Sequence, residues 1–387
     1  MGKLKLIHCA DIHLDTVFSN LPADKAAIRR DELRTNFSNI ISICIEYEAD
    51  VLLISGDLFD HTKVTEETIA FLTHSFERIP SVKIFIAPGN HDPYMPGSKY
   101  YDCIWPENVY IFKERSINKV IVEDLCLNVY GAAFTVPYIE RNLLDGFICE
   151  ESSFINIMLM HGEVVSYGKA SPYNPIAVSS LAKSNLDYVA LGHVHSYTSP
   201  QTVGRTYYAY SGNPEGRGFD EPGEKGVIKI EIEKSEGSKE IFFMYEFVPC
   251  SIRSYNLVAV DLSGCSTHEE AYSRISDCLP NKNDFYRVTL QGTLSNEFLL
   301  DLRILASRFK DKFFEITFRD TTTLDVDLEA LSRESMLRGI FARRMMAKIE
   351  DAKRRGNTKD ERLYTNALTM GLKAFEGEVP IYDYQID

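Results

Sequence analysis

Five short polar clusters stand directly after apolar runs in this 387-residue chain: Asp11-Ile12-His13, Gly56-Asp57-Leu58-Phe59-Asp60, Gly89-Asn90-His91-Asp92, His161-Gly162 and Gly192-His193-Val194-His195. Seven of their side chains are good ligands for borderline or hard divalent cations: the carboxylates of Asp11 and Asp57, the imidazoles of His13, His161, His193 and His195, and the amide oxygen of Asn90. Taken singly, each cluster has a plainer explanation. Asn, Asp and Gly are favoured in turns for backbone reasons, an Asp-x-His is more often a turn or cap, and a lone histidine is more often semi-buried and hydrogen-bonded. Gly-His-x-His says more, because it puts two imidazoles on one side of an extended strand. The ordered recurrence at five strand exits favours one metal centre over five coincidences. Seven ligands are too many for one tetrahedral ion. They suit two ions sharing a carboxylate, and Asp57 is central enough in the chain to bridge them.

The elements that must position these groups alternate. Lys3 to Cys9 is β-like, and Ala23 to Tyr47 reads as a helix striped by Ile28, Leu33, Phe37, Ile40, Ile41 and Ile45. Val51 to Ser55 is a continuous apolar run, as expected of a strand buried on both faces. Thr65 to Arg78 reads as a helix with Thr65 as N-cap, and Val82 to Ala87 as the strand before Pro88-Gly89. This order predicts a parallel, layered α/β sheet, in whose crevice beyond the strand C-termini such groups converge. Short strands from Val109 to Tyr130 predict an antiparallel continuation. Two further apolar runs end at His161 and at Gly192, and strands are expected at 207–211, 226–232 and 240–248. The pattern restarts near residue 250 as a βαβαβ unit, with helices over 267–279 and 295–309. It ends in two amphipathic helices, the second with Thr358 and Glu361 as a capping box. The expected domains are 1–250, 251–322 and 323–387.

Composition excludes some classes. No apolar run approaches the ~20 residues that span a bilayer, so no membrane association is expected. The N-terminus is not expected to be a signal peptide. The eight cysteines form no C-x-x-C pair and lie mostly in apolar runs, as expected of reduced thiols in a cytoplasmic protein. The net charge of −14 argues against nucleic-acid binding by bulk electrostatics. Bound cations or a locally basic face would reverse the potential where it matters.

The five clusters match, in order, the motifs of calcineurin-like metallophosphoesterases, and the resemblance covers roughly residues 4–232. It implies a four-layer α/β/β/α sandwich with a dinuclear site. One ion would be held by Asp11, His13, Asp57 and His195, the other by Asp57, Asn90, His161 and His193. His91 would act on the phosphate with Asp60 orienting it, and Asp92 would order the turn. Such a pair of ions clamps a phosphate and activates water at neutral pH. His8, His61, His74 and His268 have no motif role.

Within that superfamily, Asp60-His61-Thr62 and the terminal Asp92 depart from the protein Ser/Thr phosphatases, and no Tyr ligand or export signal points to the purple acid phosphatases. Ala10 to Asp15, Tyr210 to Arg217 and Glu221 to Gly226 resemble the bacterial SbcD and YhaO-like DNA repair exonucleases. That resemblance implies manganese-dependent 3′–5′ exonuclease, and also endonuclease, action on DNA, with Fe, Zn or Mg as other candidate metals. It implies a cap that positions DNA, and tail helices that dock on an SMC-type coiled-coil ATPase (SbcC/YhaN-like). Homodimers occur among such proteins. Residues 330–356 carry eight Lys/Arg against three acidic residues, which fits docking or phosphate contact and equally an ordinary amphipathic surface helix. The competing function is a phosphodiesterase or phosphatase acting on cyclic nucleotides or nucleotide esters. A pure scaffold has no need for seven ligands.

Overall fold

The structure, a computed structural model, describes residues 3–150, 153–166, 169–235, 240–295, 298, 300–325 and 328–376. It divides into two units, residues 1–254 and 255–387.

The first unit begins as alternating strands and helices: β1 (Leu4–Cys9), α1 (Ala23–Tyr47), β2 (Val51–Ile54), α2 (Glu66–Glu77), β3 (Lys83–Ile86), α3 (Lys99–Asp102) and β4 (Val109–Ile111). It continues through β5 (Asn118–Val122), β6 (Leu127–Gly131), β7 (Ile155–His161), β8 (Glu163–Val165), β9 (Pro175–Ala177), α4 (Val178–Lys183), β10 (Tyr188–Gly192), β11 (Gln201–Val203), β12 (Thr206–Tyr210), β13 (Gly226–Lys234) and β14 (Ile241–Pro249). Two six-stranded sheets result, in the orders β14-β13-β1-β2-β3-β4 and β11-β12-β10-β7-β6-β5. β1 to β4 run parallel, with Leu6 opposite Val51 and Leu53 opposite Phe85. β4 therefore extends the parallel sheet, and the expected antiparallel continuation holds only for β5 with β6. In the second sheet β6, β7, β10 and β12 are parallel, with Leu191 opposite Met160.

The uninterrupted apolar strands are explained by burial on both faces. Ile7, Cys9, Leu52, Ile54, Ile84 and Ile86 face α1 and α2. Leu4, Leu6, Val51, Leu53 and Phe85 face the second sheet, meeting Val129, Ile157, Leu159 and Ala190. Met158, Met160, Val189 and Leu191 point outward and are covered by α4 and the 143–149 turn. The unit is thus a four-layer α/β/β/α sandwich.

The long first helix departs from its expected stripe. Ile28 and Ile45 are exposed, and the buried face runs through Ala26, Arg29, Leu33, Asn36, Phe37, Ile40, Ile41 and Cys44. Two polar side chains belong to that face because Glu32 on the same helix, the 214–216 segment and Cys250 supply their partners. Arg29 Nη2 donates to Gly216 O at 2.7 Å and pairs with Glu215 Oε1 at 2.8 Å. Asn36 Nδ2 donates to Pro214 O and Cys250 O at 3.1 and 2.7 Å. The Thr65 cap is present, its hydroxyl accepting from Thr68 N.

The second unit comprises β15 (Tyr255–Asp261), α5 (His268–Asp277), β16 (Phe285–Gln291), β17 (Thr293–Ser295), α6 (Leu302–Phe309), β18 (Glu315–Asp320), β19 (Thr323–Asp325), α7 (Leu328–Ser332), α8 (Leu337–Arg354) and α9 (Thr358–Glu376). β15, β16 and β18 form a parallel sheet over a core that includes Val288, Leu290, Ile275 and Leu305. The helix expected from Ser295 starts only at Leu302. Thr293–Ser295 pairs with Thr323–Asp325 instead, and Asp301 Oδ1 caps α6 by accepting from Arg303 N at 2.8 Å. The last helix is capped by Asn357 rather than Thr358, since Asp360 N donates to Asn357 Oδ1 at 3.1 Å. α8 and α9 bury Ala342, Met345, Leu368 and Leu372 against each other. No helix among the described residues is long and apolar enough to cross a membrane.

Candidate metal centre

All five clusters lie at strand C-termini, His161 being the last residue of β7. β1, β2 and β3 of the first sheet deliver Asp11 and His13, Asp57 and Asp60, and Asn90, His91 and Asp92; β7 and β10 of the second deliver His161, and His193 with His195. The sheets meet there: His161 Nδ1 donates to Ser55 O at 2.8 Å, and His193 N donates to both Asp11 oxygens at 3.0 and 3.1 Å. Contact is so close that a Cβ on Gly192 would stand 1.9 Å from Ser55 O. Asp11, His13, Asp57 and His193 all have positive φ, at 54°, 52°, 49° and 100°. Non-glycine residues hold such conformations only where the surroundings over-determine them.

The donor atoms converge in groups. Asp11, His13 and His195 offer ligand atoms within 4.8 Å of one another, and so do Asp11, Asp57 and His161, and His13, Asp60 and His91. Asn90 Oδ1 lies 2.9 Å from His161 Nε2 and 3.3 Å from His193 Nδ1. Asp57 Oδ2 is 3.4 Å from His161 Nε2 and 3.8 Å from His13 Nε2, so it stands between the groups. Asp11 reaches both as well, its Oδ1 lying 3.9 Å from His161 Nδ1 and 4.0 Å from His195 Nε2.

The arrangement fits divalent cations on its own chemistry. His13 Nδ1 faces Asp60 Oδ1 at 3.1 Å and His195 Nδ1 faces Glu221 Oε1 at 2.7 Å. With the His195 proton drawn to Glu221, the His195 Nε2 lone pair and His13 Nε2 oppose one another across 3.3 Å. A shared cation, or an extra proton, relieves that opposition. The electrostatics agree. Burial raises the Asp57 carboxyl, but His161 and then His13 outweigh it and hold it below the usual carboxylate range. Burial lowers His161, but Asp57 and Asp11 carry it up to about 9. Burial takes His13 and His193 down to about 4.

His91 is placed differently. Its ring is 43% exposed, and its Nδ1 donates to the main-chain carbonyl of Asp60 at 2.9 Å, which leaves Nε2 facing out. The Asp60 carboxylate, expected to orient this ring, is 3.9 Å away and instead accepts from Arg217 Nη1 at 2.8 Å. Asp92 is a buried brace. Its Oδ1 accepts from Gly89 N at 2.7 Å and Asp57 N at 3.2 Å, and its Oδ2 from Phe59 N at 3.1 Å and Tyr100 OH at 2.7 Å. His8 is buried between Tyr188 OH and Ser55 Oγ, at 2.8 and 3.0 Å, away from the cluster.

Residues 4–197 match the calcineurin-like phosphoesterase family. The chain belongs to it. This phosphoesterase is 28% identical over 315 residues to the uncharacterized metallophosphoesterase YhaO of Bacillus subtilis, covering 77% of this chain and 74% of the relative. It is 21% identical over 366 residues to the DNA double-strand break repair protein Mre11 of Methanopyrus kandleri, covering 87% and 77%. It is 21% identical over 273 residues to a component of the nuclease SbcCD of Staphylococcus epidermidis, covering 62% and 69%.

Two charged side chains of this phosphoesterase, Glu221 and Arg217, reach side chains of the centre from outside the five clusters. Glu221 meets His195, and Arg217 bridges Asp60 and Glu221. Both lie in the turn-rich segment after β12, where no periodicity assigns a direction to a side chain. Its sequence signal is the resemblance carried by Tyr210 to Arg217 and Glu221 to Gly226, which gives neither side chain a role.

Proposed function

We propose that this phosphoesterase is a metal-dependent DNA nuclease that hydrolyses phosphodiesters with two divalent cations. The observation that carries the reading is the convergence of seven ligand side chains beside one outward-facing imidazole. The names of the Mre11 and SbcCD relatives, and their match over much of the chain, favour DNA as substrate. Asp11, His13, Asp57 and His195 would hold one ion, and Asp57, Asn90, His161 and His193 the other. Manganese is the preferred metal, with Fe, Zn or Mg as the other candidates. When bound, the ions supply Lewis acidity toward the phosphate and lower the pKa of water.

The chain's own residues do the rest. His91 presents Nε2 to the phosphate, where an imidazole stabilises equatorial charge or protonates the leaving oxygen. Asp60 holds that ring through its carbonyl and His13 through its carboxylate. Residues 251–322 are assigned to positioning DNA, and residues 323–387 to docking an SMC-type ATPase. Met336 and Leu337, 75% and 70% exposed at the start of α8, support the docking assignment, together with the basic residues that follow them.

The deciding experiment incubates the full chain and Mn²⁺ with end-labelled linear duplex and single-stranded DNA. Shortening from the 3′ end that chelation abolishes is the expected result. Turnover of cyclic nucleotides or nucleotide esters, with DNA left intact, would overturn it in favour of a small-molecule phosphodiesterase.

A further inference from the structure

The segment between β12 and β13 closes around His195. Its Nδ1 faces Glu221 Oε1 at 2.7 Å, and its carbonyl accepts from Lys225 Nζ at 2.8 Å and from Asn213 N at 3.3 Å. Glu221 is itself fully engaged. Oε1 also accepts from Arg217 Nη2 at 3.1 Å, and Oε2 accepts from Asn213 Nδ2 at 2.7 Å and Arg217 N at 2.8 Å. The other arm of Arg217 donates to Asp60 Oδ1, which stands 3.1 Å from His13 Nδ1. The line His13, Asp60, Arg217, Glu221, His195 is therefore a closed ring, completed where the two imidazole Nε2 atoms meet at 3.3 Å.

We infer that Glu221, held by Arg217, is a positioning residue that sets the cation affinity of the Asp11, His13 and His195 group and leaves the Asp57, Asn90, His161 and His193 group untouched. The inference rests on the metal-centre reading above. A carboxylate opposite Nδ1 keeps the proton there, aims the Nε2 lone pair inward and raises its basicity. His161 has a main-chain carbonyl in the same role, so the two groups are tuned by different partners. Arg217 pairs with both carboxylates that flank the imidazoles, and its planar fork spans them in one geometry.

The test titrates metal-free full-length protein with Mn²⁺ and counts free ion by electron paramagnetic resonance, with His161→Ala identifying the second class of site. Wild type is expected to take up two ions. Glu221→Ala should weaken one class by roughly 10–100-fold and leave the other unchanged. Glu221→Gln keeps an acceptor opposite Nδ1, so it should lose less than that while melting like wild type without metal. Wild-type binding by both variants, or equal weakening of both classes, overturns the inference. Failure of wild type to bind any ion overturns the metal-centre reading itself and is seen before any variant is made.

Discussion

Asp57 Oδ1 accepts the main-chain N–H of His91 at 3.0 Å. The residue proposed to bridge two ions is thus tied to the residue proposed to meet the phosphate, and tied through backbone rather than ring. Removing the ring leaves the tie in place. His91→Ala is therefore expected to retain wild-type Mn²⁺ uptake and to lose activity by ~10²–10⁴-fold. Paired metal analysis and DNA cleavage assays check this, and full activity in the variant would remove His91 from the chemistry.

Gly89 is the tightest point of the same turn. A Cβ there would stand 2.2 Å from Asp57 Oδ1 and 2.7 Å from Asp57 N. Gly89→Ala must push the Asp57 carboxylate aside, so it is expected to lower the affinity for both ions at once. Isothermal titration with Mn²⁺ reads this directly, and an unchanged isotherm would show that Asp57 is not shared.

Asp92→Ala strips the acceptor from three main-chain N–H groups and the Tyr100 hydroxyl, all close to Asp57. One buried donor left unpaired costs ~1–3 kcal/mol, so the variant is expected to lose at least ~2 kcal/mol in chemical denaturation of the metal-free protein. A loss of activity with unchanged stability would contradict the bracing role.

Cation binding should release protons. Asp57 and Asp11 carry His161 up to about 9 against the effect of burial, so near neutrality its ring holds a proton that a cation must displace. His13 and His193, lowered by burial to about 4, have none to give. Apparent affinity is therefore expected to rise with pH from 6.5 to 8.5, by roughly tenfold per unit for each proton released. Calorimetry in buffers of different ionisation enthalpy measures the proton count, and a pH-independent affinity would contradict the assignment.

The residues that converge were legible because each sits next to a strong local signal. Asn90, His91 and Asp92 follow an apolar strand and a Pro-Gly turn, and parallel strands bring such exits to one edge. No role for Glu221 or Arg217 follows from the sequence, because their partners lie 26 and 157 positions away and a turn-rich loop carries no periodicity. Helix α1 misled in the opposite sense. Ile28 and Ile45 read as core and face outward, while Arg29, outside the expected stripe, is buried. Burial of this guanidinium is decided by its carboxylate partners, Glu32 one turn along and Glu215 far away in the chain, and hydropathy along one helix registers neither pairing. The Asn357 cap is hidden for a smaller reason, since Asn and Thr both cap helices and only geometry chooses between adjacent ones.

Arg29 has one more consequence. Its guanidinium grips Glu215 and Gly216, and Glu215 in turn accepts from Ile252 N at 2.6 Å and Arg253 N at 3.2 Å, where the chain leaves the first unit. A stretch built of turns is ordinarily where insertions and deletions accumulate. This one is pinned near its start by α1 and farther along by Lys225 against His195. Its length is therefore part of the machinery. A residue added between Glu215 and Glu221 has no slack to enter, so the segment should tolerate changes of side chain far better than changes of length.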